Sequence, residues 1–271
     1  MNVNFEYYKI FFYVAKYHNF TKAAHVLGNS QPNVTPEGEK LYIRVSAAMA
    51  QIFEAEEELS DSMSLSHGSI SIGASETALN IFLLDKLKSF HMMYQGIRLK
   101  IYNHSTPQAI DAVKNGIIDF AVVSTPADVE SPLKSVKLVP FREILIGGKT
   151  FTALGSQELS LSELKDYPLI CLGRETATYD FYNKIFLSHG LELNPDTEAA
   201  TTDQILPLVK SELGLAFIPE PMAAEAINKN EIVRIQLRDE IPGRNICMVY
   251  DSRHPLNSAA RELQKVIMEG R

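Results

Sequence analysis

The sequence predicts an α/β protein with three parts: an all-α head, a long linker helix and a two-lobed α/β domain. Helical periodicity dominates residues 1–35, and a heptad spacing begins at Leu41. From Gly68 onward, strand-like and helix-like segments alternate. The length of 271 residues is enough for more than one folding unit with a substantial core.

The composition is typical of a globular protein and excludes several other classes. Hydrophobic residues make up 45% and charged residues 22%, and no apolar run approaches the roughly 18 residues that a membrane helix needs. A net charge of -7 argues against a broadly basic surface, so any DNA contact must be local. Cys171 and Cys247 lack disulfide or metal-ligand spacing. Without a signal-peptide pattern, we expect a cytoplasmic location and no membrane partner.

Residues 1–35 are predicted to form the helical head. Apolar residues at i, i+3, i+4 and i+7 between Tyr8 and Ala15 share one face of a first helix. Thr21 suits the N-cap of a short second helix that ends at Gly28, and Ser30 suits the N-cap of a third. Two helices joined by a tight glycine turn form the helix-turn-helix layout.

The segment Phe20–Val34, FTKAAHVLGNSQPNV, resembles the N-terminal signature of the LysR-type transcriptional regulators, SFTxAAxxLxxSQPxVS. The resemblance implies a winged helix-turn-helix whose recognition helix starts at Ser30 and binds double-stranded promoter DNA. The residues that it implies on DNA are Thr21, Lys22, Ser30, Gln31, Pro32 and Asn33. Three packed helices without a role in DNA binding are the alternative.

The chain departs from the family pattern directly after this segment. Thr35 runs into Pro36-Glu37-Gly38-Glu39, which resembles the start of the family's linker helix, so about 25 residues of recognition helix and wing are missing. Without them the head could not fill a major groove in the family's way, because a recognition helix needs about three turns. Either the chain carries a true deletion, or the sequence joins the flanks of a mobile wing and omits its residues. The second alternative is favoured because both flanks match the family pattern closely.

Residues 36–64 are predicted to form a linker and dimerisation helix that ends in a serine-rich hinge. Apolar residues repeat with spacings of 4, 3, 4, 3 and 4, which is a heptad seam, and charged residues occupy the other faces. The seam consists of Leu41, Val45, Ala48, Ile52, Ala55 and Leu59. Burial of this helix within its own domain is the alternative.

Residues 65–271 are predicted to form the two-lobed α/β domain. Strand-like Ser69–Gly73, helical Leu79–Tyr94 and strand-like Arg98–Tyr102 begin a β-α-β series, which implies a parallel, doubly wound sheet. A second series follows from Leu169.

The chain is expected to cross twice between the lobes. Lobe I is predicted to comprise residues 65–140 and 250–271, and lobe II residues 141–249. Two such lobes enclose a cleft that can hold a small ligand. This layout resembles the periplasmic-binding-protein-like effector domain of the LysR regulators, so the resemblance covers essentially the whole chain.

Polar residues follow the predicted strands at the expected position of this cleft. Open α/β sheets bind ligands at the carboxyl ends of their strands, where helix N-termini offer free N–H groups to an anion. The residues predicted to line an inducer site are Ser75, Thr77, Asn103, Ser105, Thr106, Thr201 and Thr202. We expect a small carboxylate or a similar anion as the effector. Ordinary helix capping is the alternative for each residue.

Catalysis is not indicated by the sequence. The motifs GxGxxG, GxxxxGK[ST], HExxH and GxSxG are missing, and His104 is the only histidine at the predicted cleft. No catalytic residue, metal or cofactor is therefore expected. The resemblance implies a homodimeric or homotetrameric DNA-binding regulator that responds to a small-molecule effector, with RNA polymerase as a further partner. A solute-binding protein, a metabolite sensor without DNA binding and an enzyme with an unrecognised site are the alternatives.

Overall fold

The computed structural model describes residues 68–253 and 256–269, together with seven single residues of the N-terminal part. These seven are Tyr8, Phe12, Arg44, Val45, Ala48, Met49 and Ile52. The predicted DNA contacts (residues 21, 22 and 30–33), the junction at residue 35 and the seam residues Leu41, Ala55 and Leu59 lie outside the described residues.

Apolar side chains of the first helical segment and the linker segment pack together. Phe12, Val45 and Met49 are buried in one cluster, and Ile52 packs against it. Ala48 is exposed. Part of the apolar face of the linker is therefore covered within the chain, and Met49 contributes to it although it was not in the predicted seam. The dimerisation role of the seam stays a prediction.

Eleven strands and six α-helices are found in the described part, along with two 3-10 helices at Lys149–Ser156 and Leu161–Asp166. The strands are β1 (Gly68–Ala74), β2 (Ile97–Asn103), β3 (Phe120–Ser124), β4 (Leu133–Phe141), β5 (Glu143–Gly147), β6 (Glu158–Leu159), β7 (Leu169–Leu172), β8 (Thr197–Ala199), β9 (Leu215–Pro219), β10 (Val233–Leu237) and β11 (Arg244–Asp251). The helices are α1 (Glu76–Ala78, the π-helical Leu79–Leu83 and Leu84–Met93, counted as one), α2 (Thr106–Lys114), α3 (Ala177–Ser188), α4 (Thr202–Lys210), α5 (Glu220–Asn228) and α6 (Ser258–Met268).

Lobe I is built on a five-stranded sheet of order β2-β1-β3-β11-β4. β1 runs parallel to β2 and β3, and the register places Ala74 opposite both Asn103 and Val122. β11 runs antiparallel to β3 and β4. The carboxyl ends of β1, β2 and β3 therefore meet at one edge of the sheet.

Both faces of this sheet are covered, because side chains alternate along each strand. In β3, Phe120 and Val122 join the core beneath α1 and α6, while Ala121 and Val123 join the core beneath α2. The sheet is the middle of three layers.

Lobe II repeats the plan with a six-stranded sheet of order β6-β10-β5-β9-β7-β8. β7 runs parallel to β8 and β9, and β5 runs antiparallel to β9 and β10. Ile170 and Leu172 face the core beneath α4 and α5, whereas Leu169 and Cys171 face the core beneath α3.

The structure differs from the predicted parallel sheet at the strands on either side of the crossings. β5 is antiparallel to β9 and β10, and β11 is antiparallel to β3 and β4. Each of the two strands enters its sheet from the other lobe, so no crossover connection within its own sheet sets its direction. β11 belongs to the sheet of lobe I. The second crossing therefore lies at residues 238–243, and lobe II spans 143–237 rather than 141–249.

Candidate functional site

A cleft of about 300 Å³ lies between the lobes, at the carboxyl ends of β1 and β2 in lobe I and of β7 in lobe II. All seven residues that the sequence assigns to an effector site line it: Ser75, Thr77, Asn103, Ser105, Thr106, Thr201 and Thr202. Ser124, Glu175, Thr176 and Thr178 line it as well. This volume is at the small end of the range for ligand sites in proteins.

Four helices begin at the cleft, two from each lobe. Their N-cap residues are Ser75 for α1, Ser105 for α2, Thr176 for α3 and Thr201 for α4. The first N–H groups of a helix have no partner within the helix, and its dipole places partial positive charge there. Four such ends around one cleft favour a bound anion.

Some of the hydroxyl groups also stabilise the local structure. The Ser75 Oγ accepts a hydrogen bond from the Ala78 N–H at 3.3 Å, and the Thr106 Oγ1 donates to the Ser124 carbonyl oxygen at 3.1 Å. Ser75 therefore caps its helix, which was the alternative to an effector-binding role for this residue. Thr201 makes no capping hydrogen bond through its side chain, which leaves that hydroxyl for a ligand.

The two lobes touch where α1 faces α4. The Thr77 and Thr202 hydroxyl oxygens are 3.4 Å apart, and Thr77 is buried. Because these residues come from different lobes, the distance between their hydroxyl groups depends on the separation of the lobes.

Acidic and imidazole groups complete the wall of lobe I. Glu76 Oε2 accepts a hydrogen bond from the Asn103 side-chain amide at 3.1 Å, so one of the donors of this predicted effector residue already has a partner.

The His104 ring stacks on Tyr102, with centroids 5.9 Å apart, and its Nδ1 is buried without a hydrogen-bond partner. Burial lowers the pKa of His104, so the neutral ring is favoured. A Cβ on Gly73 would lie 3.3 Å from that nitrogen and 2.6 Å from Ile118, so the glycine leaves room for the ring.

A buried ion pair between residues beside the two crossings joins the two lobes beneath the cleft. Arg244 in lobe I donates to Glu143 Oε1 in lobe II at 2.6 Å, and both side chains are 1% exposed. The same guanidinium donates to the Thr125 carbonyl at 2.6 Å and to the Ser124 and Thr178 hydroxyls. It also lies over the rings of Phe141 and Phe181.

This pair was not predicted from the sequence. Each residue is the first of a strand that is otherwise largely apolar, EILIG for Glu143 and RNICMVYD for Arg244. Opposite charges at the starts of two apolar strands, one beside each crossing, could have indicated an ion pair between the lobes. Only the tertiary structure, however, brings residues 101 positions apart into contact.

The described residues offer no clear place for a metal or a reactive thiol. They contain no group of three or more His, Cys, Asp or Glu side chains that could hold a metal ion. Burial raises the pKa of Cys171 to about 12 and raises that of Cys247, so both thiols stay protonated at neutral pH. Among the described helices, none is long and apolar enough to cross a membrane.

A two-lobed α/β domain with a polar cleft between its lobes defines a protein that binds a small ligand. The family model "LysR substrate binding domain" matches residues 64–270. The chain therefore belongs to the LysR family of transcriptional regulators, as the sequence resemblance predicted.

Named relatives agree with this assignment. The HTH-type transcriptional regulator YofA of Bacillus velezensis is 23% identical over 235 residues, which are 87% of this chain and 78% of the relative. The probable RuBisCO transcriptional regulator of Cyanophora paradoxa is 25% identical over 166 residues, and the match spans 59% of this chain and about half (51%) of that relative.

Solved structures share the fold. The LysR family transcriptional regulator CbnR has a TM-score of 0.73 at 14% identity, with 99% of both chains covered, and it has also been solved with its target DNA. The regulatory domain of CcmR from Synechocystis, in complex with 2-PG, has a TM-score of 0.67 at 15% identity, covering 75% of this chain and 97% of that one. The predicted periplasmic-binding-protein-like fold is thereby confirmed.

Proposed function

We propose that the cleft between the lobes binds a small anionic effector, and that its occupancy controls how the regulator engages promoter DNA. The observation that carries this proposal is the convergence of four helix N-termini on one cleft lined by hydroxyl groups. The effector-bound CcmR domain supports a ligand in the corresponding fold.

Binding would act by shifting an equilibrium between arrangements of the lobes. In the described part of the chain, two short connections join the lobes, at residue 142 and at residues 238–243. A ligand that contacts both walls favours the closed arrangement by the difference between its affinities for the two arrangements. We propose that the chain acts in the cytoplasm as a homodimer or homotetramer. Its paired heads would bind two DNA half-sites. RNA polymerase is a further proposed partner.

Exposed apolar side chains support self-association through lobe I. β2 is an edge strand among the described strands, and Ile101 and Tyr102 on it are each 42% exposed. Leu84 of α1, in the same lobe, is 49% exposed. An open strand edge with apolar side chains is a surface that a second copy can cover.

The effector proposal can be tested by calorimetric titration of the full chain with a panel of small mono- and dicarboxylates, phosphate and phosphate monoesters. We expect at least one of these anions to bind. Thr202→Val should weaken the binding of that anion about ten- to hundredfold, because one hydrogen bond to a charged group is lost. Thr152→Val is the matched control, because Thr152 is exposed on a 3-10 helix and does not line the cleft.

Two results would overturn the proposal: no anion of the panel binds, or both variants bind with wild-type affinity. Under this proposal the protein binds the anion without converting it chemically. Mass spectrometry of the bound anion after prolonged incubation should return it unchanged, and a product would instead indicate an enzyme.

A further inference from the structure

Three hydroxyl groups that line the cleft still have a hydrogen atom to donate. Arg244 donates to the Ser124 Oγ at 3.2 Å and to the Thr178 Oγ1 at 3.1 Å, and the Ser75 Oγ accepts from the Ala78 N–H. None of the described residues accepts a hydrogen bond from these three hydroxyl groups. Ser75 and Ser124 are only 9% and 3% exposed, and buried polar groups normally have partners. The buried part of the cleft therefore offers donors to an acceptor on a ligand.

Carboxylates occupy a more exposed part of the same cleft. Glu76 of lobe I is half-buried and Glu175 of lobe II is exposed. The Glu76 side chain accepts from the neutral amides of Asn80 and Asn103, at 2.9 and 3.1 Å. Glu175 has no hydrogen bond or ion pair within the described part of the chain. No described lysine or arginine lines the cleft, so both carboxylates border it without a cation of the protein beside them.

The four helix N-termini suit a ligand with one negative charge. An acidic residue lies in the first turn of three of these helices, Glu76 in α1, Asp180 in α3 and Asp203 in α4, and α2 has none. Such residues offset the partial positive charge at the start of a helix. A dicarboxylate or a phosphate ester would bring further negative charge to a cleft that already contains Glu76 and Glu175. A molecule with one carboxylate and one ammonium is complementary to both parts of the cleft.

We propose that the effector is a zwitterionic amino acid, whose carboxylate accepts hydrogen bonds from the buried hydroxyl groups and whose ammonium is bound by Glu76 and Glu175. This inference rests on the proposed function and narrows its ligand. Ser124 belongs to lobe I and Thr178 to lobe II, as Glu76 and Glu175 do respectively. Both charged groups of the ligand therefore contact both lobes.

Matched ligand pairs test the inference on the wild-type full chain by calorimetric titration. The ligands are the common protein amino acids and 4-aminobutyrate, and each one that binds is compared with the carboxylic acid that lacks its amino group, such as alanine with propionate. We expect at least one amino acid to bind, and to do so at least about tenfold more tightly than its deamino acid, because the latter lacks a charge-assisted hydrogen bond.

The outcomes separate the inference from the proposed function. Failure of every amino acid to bind, or equal or tighter binding by the deamino acid, would overturn the inference. If acetate, phosphate or another anion binds in that case, the proposed anion site remains intact. No binding by any amino acid or anion would overturn the proposed function, and the inference with it.

Charge variants locate the ammonium. Glu76→Gln and Glu175→Gln should each weaken the amino acid severalfold and leave unchanged or strengthen its deamino acid, because each removes a negative charge. Ser124→Ala should instead weaken both ligands, since the carboxylate that they share loses a donor. The matched control is Glu158→Gln, which should change neither affinity, because Glu158 is exposed on β6 at the opposite edge of the lobe II sheet from β8 and does not line the cleft. Parallel losses for both ligands in the Glu76 and Glu175 variants would contradict the inference.

Discussion

Arg244 is the residue on which the most polar contacts between the lobes converge. Its guanidinium bonds to Glu143, Thr178, Ser124 and Thr125 while buried at 1% exposure. We expect Arg244→Met to lower the free energy of unfolding by about 3–5 kcal/mol, because Glu143 would remain as a buried unpaired charge. Urea denaturation measures this.

A matched control comes from an exposed ion pair. Arg234 and Glu220 are 2.6 Å apart, with side chains 41% and 42% exposed, so Arg234→Met should cost at most about 1 kcal/mol. Equal losses for the two arginine variants would show that the buried pair has no special structural role.

His104 gives the cleft a pH dependence of known sign. Burial lowers its pKa from the ordinary 6.5, so between the two values the unfolded chain binds more protons than the folded chain. The stabilising contribution is present above pH 6.5 and is lost as the pH falls through the folded-state value. The melting temperature of the wild type should therefore fall more steeply between about pH 7 and pH 5 than that of His104→Asn. Parallel profiles would contradict this.

The residues that line the cleft could be predicted singly, whereas the pair beneath them could not. Thr77 and Thr202 are short polar residues close to a strand end and at a helix start, and that local pattern is sufficient to select them. Glu143 and Arg244 depend on a contact between distant parts of the chain. Their role is therefore a consequence of the way in which the lobes are joined.

At the scale of the elements, the turn into β9 depends on a glycine. Gly214 has φ of +152°, and a Cβ there would overlap the Pro168 carbonyl oxygen. Gly190 also has positive φ, at +71°, but a Cβ there would have nothing within 4 Å. We expect Gly190→Ala to cost about 1 kcal/mol from backbone strain and Gly214→Ala to cost clearly more, as measured by thermal unfolding. The reverse order would contradict the assigned geometry.

The helices and parallel strands were largely predictable, because they follow from periodicity within short segments. The predicted helix Leu79–Tyr94 corresponds to α1, and the predicted strand Arg98–Tyr102 lies within β2. β4 and β10 were missed and β11 was assigned to the wrong lobe. Strand order depends on pairing between residues more than a hundred positions apart, as between β3 and β11, and local sequence carries little of that information.

At the scale of the whole molecule, two short connections join the lobes, and we propose that ligand binding changes the arrangement of the lobes. The contact between Thr77 and Thr202 marks where the lobes meet, and Arg244 links them underneath. The effector and the promoter DNA should therefore affect one another's binding by the same factor, since coupling between two binding sites is reciprocal.

The most direct test of the anion site is an NMR titration of the full chain with the anion that binds most tightly in the panel. Backbone amide signals in the first turns of α1, α2, α3 and α4 should shift together, because those N–H groups surround the cleft. The first turn of α6 does not line the cleft and provides an internal control. Shifts confined to α6 or the outer surface would contradict an effector site between the lobes.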